Sequence, residues 1–246
     1  MRHTRIFISQ TIAVGDNIEI TDDRFHYIAQ VMRCRENTPF ILFNGDGNDY
    51  HGHIARVEKK RLSISIDSAE PNSSESRLQI TLAQGISRGE RMTYAIQKAV
   101  ELGVTQIQPL FTEHCEVRLN EERSDKRQQH WQNIAISATE QSGRSRVPLV
   151  HPALTLTDWL SQARNHNDGN FVLDPRAATT LAQRSAPPTS ATLLIGPEGG
   201  LSDSEVSNAT RADFTAIRFG PRILRTETAA AAAITALQLL WGDLGD

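Results

Sequence analysis

The chain has 246 residues, 39% of them hydrophobic and 22% charged, with a formal net charge of −3. That length allows one large domain or two modest ones, each with material for its own core. The slightly acidic balance excludes binding to nucleic acid through bulk charge, so any such binding has to come from local basic patches.

The opening Met1-Arg2-His3-Thr4-Arg5-Ile6-Phe7 carries charge but no long apolar stretch behind it, so no signal peptide is expected. From Ile18 to about Glu70 the pattern is β-like. One short helix is predicted from Asp22 to about Met32, because Phe25, Ile28, Ala29 and Met32 fall at helical spacing behind a Thr21 or Asp22 cap. Pro39 to Phe43 reads as a strand ending in Asn44-Gly45-Asp46-Gly47, strong hairpin-turn chemistry. Tyr50 to Val57 and Leu62 to Ile66 then alternate with period two, as half-buried strands do. Glu70 to Ser76 loses periodicity and reads as a linker. The domains expected are therefore a small β-barrel over 1–72 and an α/β domain over 73–246.

The second part alternates strand and helix. Strands are predicted at Leu78 to Ala83, Val104 to Phe111 and Phe171 to Leu173. A helix from Arg91 to Leu102 presents Met92, Ala95, Ile96, Ala99 and Val100 on one face and stops at Gly103. Ser124 is expected to cap a helix running through Trp131, Ile134, Ala135 and Ala138, and a shorter helix surrounds Trp159. Ala186 to Ser190 reads as a loop. The apolar run Ala229 to Leu240 is too short to span a bilayer and reads as a buried helix.

Two strand–turn–helix units near the C-terminus carry the chemistry. Leu193-Leu194-Ile195 enters Gly196-Pro197-Glu198-Gly199-Gly200, and a helix opens where Ser202 and Glu205 have capping-box spacing. Ile217-Arg218-Phe219 enters Gly220-Pro221, and Arg222 to Thr228 lead into the alanine-rich helix. Two such loops at neighbouring strand ends build a crevice at the carboxyl edge of a parallel sheet, where open α/β folds bind ligands. Glu227 suits a helix start; Arg225 does not, because the helix dipole is positive there. An arginine at that place points to an anionic or electron-rich partner.

Other constellations are missing. There is no phosphate-binding Gly-x-x-x-x-Gly-Lys-Ser/Thr loop, no Gly-x-Gly-x-x-Gly and no Gly-x-Ser-x-Gly. Cys34 and Cys115 lie far apart with no metal or redox spacing, which fits a reduced cytosolic protein. His51 and His53 share a strand face without a further ligand, and His114-Cys115 reads as an ordinary strand-end pair, so no metal is expected.

Several blocks together resemble a known family: Arg5-Ile6-Phe7, His26 to Val31 with Arg33, Ser87 to Met92, Gln97 to Val104, Glu140 to Arg144, Ile195 to Gly200 and Arg222 to Ala229. The loop blocks are similar to those of the SPOUT methyltransferases. Nearly the full length resembles the bacterial family that methylates N3 of a uridine in 16S ribosomal RNA. Cys34-Arg35-Glu36-Asn37 departs from the glycine-containing turn usual there. The resemblance implies a PUA-like barrel that holds RNA, then a mostly parallel sheet with helices on both faces, tied in a trefoil knot. It implies S-adenosyl-L-methionine as methyl donor, held mostly by main-chain groups, and a cytoplasmic homodimer joined through the knot, with no membrane partner. The implied donor contacts are Leu173, Ile195, Gly196, Pro197, Gly199, Gly200, Phe219, Gly220, Ile223, Leu224 and Thr226.

For the chemistry, Arg225 is expected to stabilise the uridine anion through a ring oxygen, and Glu198 or Glu227 to take the N3 proton. Arg5, Arg33, Arg88, Arg91 and Arg144 are candidate RNA contacts, with Arg2, Arg35, Arg146 and Lys59-Lys60-Arg61 as further basic residues. Two alternatives stay open at this point: a SPOUT enzyme acting on ribose 2′-OH, and a non-catalytic RNA-binding assembly factor.

Overall fold

The computed structural model describes residues 4–26, 28–29, 32–116, 121–162, 169–183 and 188–245. Arg2, Tyr27, Gln30, Val31 and part of the 186–190 loop lie outside them. The chain divides into two compact units: Met1–Glu75 with Thr139–Val147, and Ser76–Ala138 with Pro148–Asp246.

The first unit is a mixed sheet of β1 (Thr4–Phe7), β2 (Asn17–Ile20), β3 (Pro39–Phe43), β4 (Asn48–Val57) and β5 (Leu62–Pro71), in the order β1-β3-β4-β5-β2. Only β1 and β3 run parallel; the other pairs are antiparallel. Alternation decides which face is dry. Leu62, Ile64 and Ile66 are buried with Ile6, Ile18, Ile20, Phe40, Leu42 and Ile54, while Ser63 and Ser65 between them are not. Side-chain oxygens close the hairpin turn: Asp46 N–H donates to Asn44 Oδ1 at 3.1 Å and Asn48 N–H to Asp46 Oδ1 at 2.9 Å. In the departing turn, Asn37 adopts φ 66°, a left-handed conformation open to Asn and Gly.

Of the helix predicted from Asp22 to about Met32, the described residues Asp23–His26 form α1 and Ile28 and Ala29 are π-helical, with Asp22 Oδ1 accepting from Arg24 N–H at 3.1 Å at the start. One expectation for this unit is corrected: the stretch 70–76 is not a free linker. β5 continues to Pro71, Asn72 donates to the carbonyl of Gly143 at 3.1 Å, and Glu75 pairs with Arg144 at 2.7 Å. The lost periodicity marks the end of sheet alternation, while polar partners still hold the chain.

The second unit contains β6 (Gln79–Gly85), β7 (Gln106–Phe111), β8 (Leu149–Val150), β9 (Leu154–Thr155), β10 (Gly169–Leu173), β11 (Ser190–Ile195) and β12 (Thr215–Ile217). Every pairing is parallel, in the order β12-β10-β11-β6-β7-β8, with β9 also on β7. Its helices are α2 (Glu90–Glu101), α3 (Glu121–Ser142) as far as Ala138, α4 (Leu156–Gln162), α5 (Asp203–Arg211) and α6 (Thr226–Trp241). Helices cover both faces. Ala83, Leu110, Val172 and Leu194 point to Leu156, Leu160, Ala209 and Phe214 of the α4–α5 side. On the other face Phe171 stacks on Trp241 of α6, and α6 packs against α2 and β11.

Ser124 lies inside α3, which has already begun at Glu121, so it is not the cap; serine is tolerated in a helix interior. β12 ends at Ile217, two residues before the predicted Phe219, because Ile217 pairs with Leu173 and β10 ends there. After β12 at the sheet edge the chain returns to the end of β11, where Thr226 at the start of α6 donates to the Gly196 carbonyl. No helix among the described residues is long and apolar enough to cross a membrane.

Candidate active site

The first loop leaves β11 in a turn packed at backbone distance. Gly200 N–H donates to the Pro197 carbonyl at 2.9 Å, and Gly200 takes φ 71°. A Cβ on Gly196 would lie 2.8 Å from the carbonyl carbon of Gly200, and one on Gly199 would lie 2.8 Å from Cβ of His114. Only glycine fits such approaches. The loop hands over to α5 through the expected capping box: Ser202 Oγ accepts from Glu205 N–H at 3.2 Å, and Glu205 accepts from Ser202 N–H at 2.9 Å.

The second loop leaves β12 with Arg218 N–H on the Thr179 carbonyl at 2.9 Å and turns at Gly220. Arg225 is the N-cap residue of α6 and makes no side-chain cap bond. The two loops are pinned together from below. Gln84, fully buried at the end of β6, donates its amide to Thr226 Oγ1 at 2.9 Å, and Thr226 Oγ1 donates to the Gly196 carbonyl at 2.6 Å.

Between the loops lies a cavity of about 940 Å³, within the range of small-molecule sites. Leu173 at the end of β10 borders it with Ile195, Gly196, Pro197, Gly199 and Gly200 of the first loop. Phe219, Gly220, Ile223, Leu224 and Thr226 of the second loop complete the predicted set, and Arg225, Glu198, Glu227 and Arg91 border the same space.

The two candidate bases differ. Burial pushes the Glu198 carboxyl up, but N–H donors at Arg88 and at Glu198 itself, with the Arg91 guanidinium, outweigh it and hold the group below its ordinary value. Glu198 Oε1 accepts from Arg88 N–H at 2.9 Å and from Arg91 at 2.9 Å. It is a strut between the loop and the start of α2. Glu227 is half-buried, and its Oε2 is buried without a hydrogen-bond partner. A native structure rarely leaves such an atom unmatched, and Glu227 is one of the residues lining the cavity. Arg225 is exposed and has no ion pair among the described residues.

Sequence reasoning missed three members of this wall. His114 lines the cavity, and its Nδ1 lies 3.0 Å from the Gly199 carbonyl, which only accepts, so Nδ1 carries the hydrogen. Asp174 and Arg176 also line it and pair at 3.1 Å, with Arg176 reaching Asp203 as well. Gln84 lies behind the wall; the available signal was a polar residue at the carboxyl end of an otherwise apolar strand.

The basic residues proposed for RNA separate into two groups. Arg144 is buried, only 5% of its side chain exposed, and holds Glu75, which also accepts from the backbone of Ser145 and Arg146. Arg5 is paired with Asp49, lies over the Phe43 ring at 5.0 Å and donates to the Arg144 carbonyl at 3.0 Å. Both side chains are largely enclosed in the first unit and paired with half-buried carboxylates, which weighs against their assignment as RNA contacts. Arg33, Arg35, Lys59 and Lys60 are exposed, whereas Arg61 is shared between Glu58 and Glu19. Arg88 is exposed, 3.7 Å from Glu116, and Arg91 is engaged by Glu198.

Comparison with known proteins agrees with this layout. The RNA methyltransferase domain family matches residues 74–238, and the RNA methyltransferase PUA domain family matches residues 20–67. Ribosomal RNA small subunit methyltransferase E of Buchnera aphidicola subsp. Schizaphis graminum is 36% identical, over 99% of this chain and 98% of its own. A Legionella pneumophila protein solved in complex with the cofactor SAM is 37% identical, with a TM-score of 0.95, over 99% of this chain and 100% of its own. Ribosomal RNA small subunit methyltransferase E from Neisseria gonorrhoeae, bound to S-adenosyl methionine, is 38% identical at a TM-score of 0.91, with the same coverage.

Proposed function

Since the chain belongs to the ribosomal RNA small subunit methyltransferase E family, we propose that it methylates N3 of a uridine in 16S ribosomal RNA, with S-adenosyl-L-methionine as donor. The observation that carries this reading is the cavity walled by both glycine–proline loops, with the unpartnered Glu227 Oε2 and the unpaired Arg225 at its edge.

The residues present fit the donor. Gly196 and Gly199 bring backbone to the cavity wall where a Cβ would collide, Leu173, Ile195 and Leu224 add apolar surface, and an orphaned acceptor remains. The main-chain groups of Gly196, Gly199, Gly220 and Thr226 would hold adenosine and amino-acid moieties. When bound, the donor supplies an electrophilic methyl group on a sulfonium and leaves as a neutral thioether.

The chain's own residues then have two tasks beside positioning. Uridine N3 carries a proton and is a poor nucleophile until it leaves. Glu227 accepts that proton, since its buried oxygen is free, whereas Glu198 is occupied by Arg88 N–H and Arg91 and held less basic. Arg225 donates to O2 or O4 of the base as negative charge spreads there. The 1–72 part acts as the PUA-like RNA-holding domain and residues 73–246 as the catalytic domain.

The protein works as a cytoplasmic homodimer. Past Glu227, α6 has no charged residue, and its outward side shows Thr228, Thr235, Leu239 and Leu240, with Leu239 59% exposed. A helix without a charged face is normally covered, and a second copy of the same helix suits an uncharged surface.

Nucleoside mass spectrometry of 16S ribosomal RNA from a strain lacking the gene tests the reading. Loss of 3-methyluridine is expected. Loss of a 2′-O-methyl nucleoside would identify a ribose methyltransferase instead, and an unchanged nucleoside profile a non-catalytic assembly factor.

A further inference from the structure

The cations around the cavity are of two kinds. Arg91 is neutralised by Glu198 at 2.9 Å, and Arg176 by Asp174 and Asp203. Arg218, Arg222 and Arg225 also line the cavity and are exposed, and none has a side-chain hydrogen bond or an ion pair among the described residues. They sit in one short loop, Arg218-Phe219-Gly220-Pro221-Arg222-Ile223-Leu224-Arg225, which contains no acidic residue.

This concentration is unfavourable in the protein alone. Like charges repel, and Arg225 adds a cation at the positive end of α6. The loop is nonetheless held in place, by Arg218 N–H on the Thr179 carbonyl at 2.9 Å and by the Thr226 hydroxyl on the Gly196 carbonyl at 2.6 Å. A fixed loop that presents repelling cations toward one cavity is built for a polyanion. The methyl donor does not meet that description, since its single carboxylate is outnumbered by its own ammonium and sulfonium. A nucleic-acid strand does, with one charge per nucleotide. Ile223, 86% exposed between Arg222 and Arg225, adds apolar surface for a sugar or an unstacked base.

We propose that Arg218 and Arg222 grip the RNA phosphates flanking the target uridine, so that the 218–225 loop is the strand clamp of the site and Arg225 is left for the base. This rests on the RNA-methylating reading and assigns the strand contact to the second glycine–proline loop, apart from the exposed cations of the first unit.

The test separates strand, donor and reading. Binding of a single-stranded oligouridylate is measured against salt for the wild type and for Arg218→Ala, Arg222→Ala and the double variant, with S-adenosylmethionine affinity measured by calorimetry. Both positions are exposed, and the Lys variants at each keep the charge. Each Ala substitution is expected to flatten the log–log salt slope by about 0.7, and the pair by about 1.4, as loss of one and two phosphate contacts requires. Donor affinity should stay within about twofold, and the Lys variants should restore the slope. An unchanged slope in the double variant overturns the clamp. So does a fall in donor affinity with the slope intact, which would assign these cations to the donor's carboxylate. A wild type that binds no donor defeats the methyltransferase reading instead, and the salt series still decides the clamp.

Discussion

The side-chain amide of Gln84 donates to the hydroxyl of Thr226 at 2.9 Å, across 142 residues of chain. The same hydroxyl donates to the Gly196 carbonyl at 2.6 Å, so one buried strut joins β6, the first loop and the first residue of α6. The separation of the cavity walls depends on that strut, because it fixes both loops to the same strand end.

Thr226→Val keeps the side-chain volume and removes the hydroxyl. A Gln84 N–H and the Gly196 carbonyl each lose a partner in a buried place, which costs about 1–3 kcal/mol. Urea unfolding should show that loss, calorimetry should show weaker donor binding, and Thr226→Ser should restore both. A Val variant with wild-type values in both would remove the strut from the account.

Arg225→Ala should lower turnover about 100-fold or more, the usual scale for removing one preorganised donor to a developing charge. The Arg225 side chain makes no bond within α6 that folding would miss. Donor affinity should therefore hardly change. Equal losses in turnover and donor affinity, read from single-turnover rates and calorimetry, would assign Arg225 to donor binding.

Gly199→Val places branched carbon where a single Cβ already lies 2.8 Å from Cβ of His114. The loop or His114 has to move, and the bond from His114 Nδ1 to the Gly199 carbonyl goes with it. Donor binding should be lost while the barrel unit stays folded, as far-ultraviolet circular dichroism and calorimetry can check. Unchanged donor affinity would contradict the loop placement.

The two glutamates are separated by what each substitution changes. Burial raises the Glu198 carboxyl, but Arg88 N–H, its own N–H and Arg91 outweigh it, so the folded value lies below the unfolded value near 4.5. The stability it contributes is complete above that unfolded value and is lost as pH falls through the folded one. Glu198→Gln should flatten the acid limb of a melting-temperature profile below about pH 4.5. Glu227→Gln should instead lower kcat with donor affinity retained. A larger kcat loss in Glu198→Gln than in Glu227→Gln would reverse the proton-transfer assignment.

Local chemistry was legible in the sequence. The capping box of Ser202 and Glu205, the hairpin turn at 44–47 and the stop of α2 at Gly103 each depend on residues within a few positions. The loops of the cavity were legible for the same reason. Long-range pairing was not: Arg144 finds Glu75 across 69 residues and Arg5 finds Asp49 across 44, which ties two candidate RNA cations to carboxylates of their own unit. The end of β12 depends on where its neighbour β10 stops, and periodicity along β12 carries no trace of that. The unpaired arginines of the 218–225 loop could not be told from the paired ones without the positions of the carboxylates.

The most direct measurement is a crystal structure of the protein soaked with S-adenosylmethionine. The donor should lie between Gly196–Gly200 and Phe219–Thr226, with its methyl group facing the space beside Arg225 and Glu227. Empty loops at saturating donor, or a donor bound in the β-barrel unit, would contradict the account.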